Sequence, residues 1–350
     1  MHAHVYDRAM TDSTDFFSRS RSAQLRHVRA LAHTICDVYA LSNVELKLMR
    51  YEDNAVYRVK AAGRTSTLRI SLQTGRSLEE QLSEVTWLKE LHRSGFHHVP
   101  QPLATTDGRD AGTIRDSPIE GTVTYVMFAW VPGAVMTRYT QKAAAELGQM
   151  AGQLHVTAQD ARHVNPFRRP SWQPHEIGTN GYAIAGERSL GFLGEQSVGV
   201  LRSAASKAER TIDSTVGRGL IHADLHRENV IQGPDGAMSF IDFDDCGVGP
   251  FMLDVATMLS SAYRSMPSRV AYDAFRASFL AAYDCERSSG NELATLDAFL
   301  VLRDFVILNF ICETRNPTVM SWRGKRAQGI VQSLRGYVET GAYPGGFRIA

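Results

Sequence analysis

The chain is poor in cysteine. Cys36, Cys246, Cys285 and Cys312 are scattered through 350 positions with no Cys-x-x-Cys pair. That spacing speaks against a cysteine-based zinc site and against a disulfide framework. No run approaches the roughly 18 apolar residues that a membrane-spanning helix needs. The N-terminal "MHAHVYDRAMTDSTDFFSRSRS" lacks the apolar core of a secretory leader. Charge of one sign is also missing: Lys plus Arg number 38 and Asp plus Glu 37. There is therefore no electrostatic case for nucleic acid or an anionic membrane as a partner. Internal repeats and low-complexity tracts are absent. What is present, 43% hydrophobic and 21% charged residues, suits a folded core of one large or two ordinary domains. A cytoplasmic location is the expectation.

Residues 1–20 read as a loose tail. From Arg21 to Tyr39, Leu25, Val28, Leu31, Ile35 and Val38 recur at three and four, the period of an amphipathic helix. "VELKLMR", "AVYRVKA" and "TSTLRISL" then read as three strands of an antiparallel meander. "SLEEQLSEVTWLKELHRSG" is a helix with Ser77 and Glu80 as a capping box and Gly95 as its stop. "TVTYVMFAWVPG" is a further strand that breaks at Pro132-Gly133. Beyond it the helical period dominates: "TQKAAAELGQMAGQLHVTA", a helical stretch in 188–213, then Leu253 to Tyr263, Arg269 to Tyr283, and Glu292 to Ile311. Between them "VIQGPDGAMSFIDF" reads as a hairpin turning on Pro234-Asp235-Gly236.

One stretch stands out. "LIHADLHRENVI", Leu220 to Ile231, places titratable and amide groups between two apolar ends. His222, Asp224 and Asn229 have the His-x-Asp-x-x-x-x-Asn spacing of a kinase catalytic loop. Asp242 follows the apolar Phe240-Ile241 after the turn. A solvated surface loop accounts for Arg227 and Glu228, but not for apolar flanks that set Asp224 and Asp242 at strand mouths. The residue types suit phosphoryl transfer. A nucleoside triphosphate brings about four negative charges that must be neutralised and aligned. Mg²⁺ prefers hard oxygen ligands, such as one carboxylate and one amide oxygen on adjacent strand ends. A third group, kept off the metal, orients the acceptor hydroxyl.

"GLIHADLHRENVI" together with "SFIDFDDCGVGPFMLDVA" resembles the aminoglycoside phosphotransferase and choline kinase superfamily. That superfamily has a protein-kinase-like fold and includes homoserine-kinase-like and bacterial stress-response-kinase-like members. The resemblance runs from about Leu46 to Leu259. It implies an α+β, two-lobe fold: a small N-terminal antiparallel-sheet lobe over 21–132 and a larger, mainly helical lobe over 133–350, with Pro132-Gly133 as the hinge. It implies ATP and Mg²⁺ as cofactors, Asp224 as the catalytic base, Asn229 and Asp242 as metal ligands, and Asp254 as a brace for the catalytic loop. His226 stands where protein kinases have a lysine, and Arg227-Glu228 replaces the usual Pro-Gly.

The resemblance also assigns nucleotide contacts. Arg69 in "TLRIS" takes the place of the phosphate-binding lysine, with Glu84 as its helix partner and Glu79 and Glu80 as rivals. Asn54 lies in "YEDNAVYRV", a phosphate-covering hairpin without glycine. Met127 to Gly133, with Phe128 and Trp130, resembles the hinge that receives adenine. His222 is read as bracing the Asp242 segment, and His155 as structural. Asp244 and Asp245 either assist the metal, meet a cationic substrate or lend outer support. Trp172 and Trp322 line an acceptor pocket or belong to the core. Arg303 and Asp304, inside an apolar helix, face the acceptor or form an ion pair at the core edge. The expected acceptor is a hydroxyl of a small molecule: an amino alcohol, amino acid, sugar or aminoglycoside. A protein Ser/Thr kinase and a non-catalytic nucleotide-binding module are the alternatives, and the shape of the acceptor pocket discriminates.

Overall fold

The computed structural model describes residues 16–72, 76–116, 119, 121–159, 167–186, 189–212, 216–314 and 317–344. It divides into two units: one draws on Met1–Leu82 and Pro102–Trp130, the other on Ser83–Gln101 and Val131–Ala350.

The first unit opens with Phe16, fully buried at the start of a short 3-10 turn. The expected tail therefore ends before residue 20, because Phe16 finds an apolar cluster to enter; residues 1–15 lie outside the described residues. Helix α1 (Arg21–Val38) is capped by the Ser20 side chain and buries the stripe Val28, Leu31, Ala32, Ile35 and Cys36. Strands β1 (Glu45–Tyr51), β2 (Asn54–Ala61) and β3 (Arg64–Ser71) form the expected antiparallel meander. The β2–β3 turn is Ala62-Gly63, both at positive φ, the conformation that matches the twist of a two-residue hairpin.

Helix α2 (Leu78–Arg93) carries the predicted capping box. The Ser77 N–H donates to Glu80 at 2.8 Å and the Glu80 N–H to the Ser77 hydroxyl at 3.2 Å. Strands β4 (Pro102–Leu103), β5 (Gly112–Asp116) and β6 (Gly121–Ala129) complete the sheet, in the order β1-β2-β3-β6-β4 with β5 also on β6. Alternate residues of β2, β3 and β6, among them Tyr57, Leu68, Ile70, Tyr125 and Met127, bury one face together with α1.

The second unit is mainly helical. Strand β7 (Ala134–Val135) leads to α3 (Gln141–Gln159), then the short helices α4 (Pro174–Ile177), α5 (Tyr182–Ala185) and α6 (Ser189–Leu193), and α7 (Glu195–Thr211). Strands β8 (Arg218–Ile221), β9 (Val230–Gln232), β10 (Met238–Phe240) and β11 (Gly247–Pro250) form two small antiparallel sheets, β10-β9-β7 and β11-β8. Helices α8 (Phe251–Ser265), α9 (Arg269–Glu286), α10 (Leu296–Glu313) and α11 (Pro317–Thr340) follow.

Helix α3 lies hard against α9. A Cβ on Gly148 would sit 2.1 Å from the Phe279 carbonyl oxygen, so only glycine permits the approach. Helix α10 is apolar on nearly every side and correspondingly buried. Glu292, expected to begin that helix, lies in a preceding 3-10 segment, Gly290–Thr295. Strands β8 and β11, "RGLI" and "GVGP", are too short and glycine-rich to show a strand period. Helix α11 carries Gly324, Gly329 and Gly336, which dilute its apolar period. Among the described residues no helix is long and apolar enough to cross a membrane.

Candidate active site

The β8 strand ends at Ile221 and the chain turns sharply. Ala223 has φ +66, a left-handed conformation that costs an L-residue about 1–2 kcal/mol. Asp254, fully buried in the first turn of α8, offsets that cost. Its carboxylate accepts the His222 N–H at 2.8 Å and the Ala223 N–H at 2.7 Å. Asp254 thus holds two consecutive backbone amides of the turn through both of its carboxyl oxygens.

A buried chain stands behind Asp254. His155 Nε2 lies 3.1 Å from Asp254 Oδ2 and His155 Nδ1 lies 2.8 Å from the Tyr283 hydroxyl. Burial lowers the His155 pKa against the pull of Asp254. A neutral ring then donates from Nε2 to Asp254 and accepts from Tyr283. Arg287 donates to the same tyrosine hydroxyl at 3.3 Å and forks onto Glu292 at 2.9 and 3.1 Å.

His222 is buried and links the two halves of the site. Its Nδ1 accepts the Asp224 N–H at 3.3 Å, which leaves Nε2 to donate to the Ile241 carbonyl at 2.9 Å. The next residue is Asp242, also left-handed at φ 65 and ψ 65. Phe243 then packs between the His222 ring, 4.4 Å away, and Trp87, 5.3 Å away. Ala223 and Asp242 both hold a left-handed conformation that the backbone resists, each next to a residue fixed by a buried partner.

Asp224 gathers donors on both oxygens. Arg303 Nη2 approaches Oδ1 at 2.7 Å, and His226 Nε2 and Asn229 Nδ2 approach Oδ2 at 3.1 Å each. Burial alone would raise its pKa. The positive charge of Arg303, with His226 and His222, outweighs that and holds the carboxyl well below the usual range. The side chain still keeps 27% of its surface accessible, so a substrate hydroxyl can reach it.

Asn229 donates its amide nitrogen twice, to the Asp224 carboxylate and to the Asp224 carbonyl at 2.9 Å. That orientation commits the nitrogen and turns the amide oxygen elsewhere. Asn229 and Asp242 flank the paired strand residues Val230 and Phe240, and the Ile241 N–H donates to the Asn229 carbonyl at 2.9 Å. One amide oxygen and one carboxylate at neighbouring strand ends fit a hard cation that keeps most of its other ligands as water or phosphate. Among the described residues no group of three or more His, Cys, Asp or Glu is placed to hold a metal.

Arg169 and Tyr139 were not singled out in the sequence, and Trp172, Asp244 and Asp304 find partners that it did not name. Arg169 donates Nε to the Cys246 carbonyl at 2.9 Å and Nη2 to the carbonyls of Phe243 and Asp244, clamping the turn after Asp242. Trp172 donates its indole N–H to the Asp245 carbonyl at 3.0 Å and packs against Gly247 and Gly249, so it supports this turn. Asp244 is buried in the same turn. Tyr139 accepts the Arg227 N–H at 2.9 Å and Arg227 also donates to the Thr137 carbonyl, which anchors the loop where Arg227-Glu228 replaces Pro-Gly. Asp304, beside Arg303, is buried and accepts from the Tyr343 hydroxyl. Long-range pairs of this kind leave no local spacing to read.

In the first unit Arg69 is buried, with Nη2 donating to Gln81 Oε1 at 2.8 Å and its guanidinium 5.6 Å from the Phe128 ring centroid. Gln81 in turn donates to Ser71 at 3.0 Å. Glu80 is committed to the helix cap. Asn54 opens β2 opposite Ser71, and Trp130 lies under the Arg58 guanidinium at 5.7 Å. Glu84, in the second unit, is buried. Trp322 is exposed on α11.

This chain is similar to known proteins along most of its length. Amicoumacin kinase of Bacillus subtilis strain 168 is 25% identical over 63% of this chain and 64% of its own, so the chain spans just under two thirds of that relative. A microcompartment-associated aminopropanol kinase has a solved structure similar over 92% of this chain and 100% of that one, with TM-score 0.76 and 25% identity. The structure of amicoumacin kinase hAmiN shares the fold over 90% of this chain and 96% of its own, with TM-score 0.70 and 21% identity. The α+β, kinase-like architecture expected from the sequence is the one these structures have. The sequence pattern of the APH phosphotransferase enzyme family matches residues 50–293, a span holding the whole catalytic loop and the Asp242 turn, and this chain belongs to that family.

Proposed function

We propose that this protein is an ATP- and Mg²⁺-dependent kinase that moves the γ-phosphoryl group to a hydroxyl of a small molecule. The observation that carries the proposal is the state of Asp224: ionised, reachable, and tied through Asn229 to the strand ends that present an amide oxygen and the Asp242 carboxylate. The acceptor hydroxyl donates its hydrogen bond to Asp224, which aims the oxygen at the γ-phosphorus and takes the proton as the new P–O bond forms, the bond from the γ-phosphorus to the bridging oxygen breaks and ADP leaves. A carboxylate held this far below its usual range is a weak base. Its main contribution is orientation, as a loose phosphoryl-transfer transition state demands. Asn229 and Asp242 would hold the magnesium ion, which supplies neutralisation and alignment of the phosphate oxygens. Arg69, Glu84, Asn54, Phe128 and Trp130 are assigned to the nucleotide, and a cytoplasmic location belongs to the same reading. Two names support it: an aminopropanol kinase acts on a small hydroxylated amine, and hAmiN was crystallised with AMP-PNP, Ca²⁺ and Ami.

The test is label transfer. The protein is incubated with γ-labelled ATP, Mg²⁺ and a panel of hydroxylated metabolites, aminoglycosides and a generic protein substrate. Labelling of a small molecule, lost in Asp224→Asn with ATP binding retained, is expected. Labelling of the protein alone supports the protein-kinase alternative, and no ATP turnover with any acceptor ends the proposal.

A further inference from the structure

A carboxylate offers about four lone-pair positions, two on each oxygen. On Asp224 three are taken. Arg303 Nη2 fills one on Oδ1, while His226 Nε2 and Asn229 Nδ2, each at 3.1 Å, fill both on Oδ2. The open position lies on Oδ1, and the Asp224 side chain keeps a solvent-facing edge. Arg303 and Asn229 are buried; of the three donors only His226 shares that accessible edge.

His226 is fixed by a second bond. It caps the 3-10 turn Arg227–Asn229 from an extended conformation, φ −135 and ψ 170, and its Nδ1 accepts the Glu228 N–H at 3.2 Å. A ring nitrogen that accepts carries no proton, so the proton sits on Nε2 and points at Asp224. One side chain thus ties the backbone that leads to Asn229 to the carboxylate that Asn229 also touches. Capping alone does not call for a histidine. Ser, Thr, Asp and Asn fill that role best, and their side chains end at least one bond short of the Nε2 position.

We infer that His226 is a positioning residue: with Asn229 it saturates Oδ2, so that the acceptor hydroxyl is received on Oδ1, beside the Arg303 guanidinium. The inference rests on the kinase reading above and names the oxygen of Asp224 that receives the acceptor. A carboxylate open on both oxygens would hold the hydroxyl in two places, of which at most one is in line with the γ-phosphorus. Closing Oδ2 removes the unproductive one.

Two substitutions separate the two bonds of His226. Asparagine sets its amide atoms as many bonds from Cα as Nδ1 is, and glutamine as many as Nε2 is. His226→Asn therefore keeps the cap and loses the donor to Asp224, whereas His226→Gln keeps the donor and loses the cap. Label transfer from γ-labelled ATP is measured on the panel member labelled fastest, beside the melting temperature of each variant. His226→Asn is expected to lower kcat roughly 10- to 100-fold at a wild-type melting temperature, with the acceptor KM the same or lower. His226→Gln is expected to recover most of that kcat while melting below wild type. Wild-type kcat in His226→Asn, or a kcat in His226→Gln as low as in His226→Asn, overturns the inference and leaves the kinase reading intact. Absence of transfer to every acceptor sinks the kinase reading instead. In that event, or if either variant fails to fold, the imidazole nitrogen NMR resonances of the wild-type protein decide. An Nε2–H tautomer whose ring N–H signal shifts in Asp224→Ala supports the positioning contact; an Nδ1–H tautomer, or a signal indifferent to Asp224→Ala, overturns it.

Discussion

Arg303 Nη2 lies 2.7 Å from Asp224 Oδ1, so a residue 79 positions further along the chain sets the electrostatics of the Asp224 loop. Removing it should lift the Asp224 pKa toward that of an ordinary carboxyl. Arg303→Ala is expected to lower kcat roughly 10- to 100-fold and to move the acid limb of the pH–rate profile upward. Arg303→Lys should recover part of both effects, since it keeps the charge and loses the planar fork. An acid limb that stays in place in Arg303→Ala would contradict the assigned role.

Asn229 and Asp242 should govern the metal requirement. Asp242→Asn or Asn229→Ala is expected to raise the Mg²⁺ concentration for half-maximal turnover at least ~10-fold. Titration of activity against Mg²⁺ at saturating ATP reads this directly, and an unchanged midpoint removes the residue from the ligand set.

His155 bridges two buried groups, Asp254 and Tyr283. His155→Phe preserves bulk but strips a donor from Asp254 and an acceptor from Tyr283, at a cost of about 2–4 kcal/mol in urea unfolding. Because Asp254 holds the His222 and Ala223 amides, kcat should fall in the surviving folded protein as well.

Two carboxyls, the partly accessible Asp224 and the buried Asp304, pull stability in opposite directions with pH. The Asp224 pKa is depressed in the folded state, so its contribution is present above the ordinary carboxylate range and is lost as pH falls through the folded value. The Asp304 pKa is raised, chiefly by burial, so its contribution is present below the ordinary value and is lost as pH rises through the folded one. Asp304→Asn still accepts from Tyr343 and has no proton to lose. The melting temperature of this variant relative to wild type should therefore climb as pH rises from about 4 to 8. A constant difference across that range would refute the assignment.

Gly148 should tolerate nothing larger. Its missing Cβ lets α3 approach the Phe279 carbonyl, so Gly148→Ala forces the two helices apart and is expected to destabilise by about 1–3 kcal/mol in thermal unfolding, despite the better helix propensity of alanine.

Local patterns carried a large part of this protein. The Ser77/Glu80 cap, the α1 stripe and the β1–β3 meander follow from short-range periodicity and turn chemistry, and each could be placed from the residues alone. The proximity of Asp224 and Asn229 was legible for another reason: their spacing is short, and a hydrogen bond five residues apart closes the loop. Elements with diluted signals escaped notice, such as the four-residue β8 and β11 and the glycine-bearing α11.

What the sequence by itself determined, then, is the run of local elements, through backbone preference and periodicity, while its resemblance to a phosphotransferase family pointed to the kinase-like architecture and to Asp224, Asn229 and Asp242 as candidates. Tertiary structure alone decided what surrounds them: Arg303 on Asp224, Asp254 under Ala223, and Arg169 on the Asp242 turn. Those pairings span tens of residues and depend on which helix faces pack together. A charged side chain in an apolar helix announces that it needs a partner, but only the fold reveals which one.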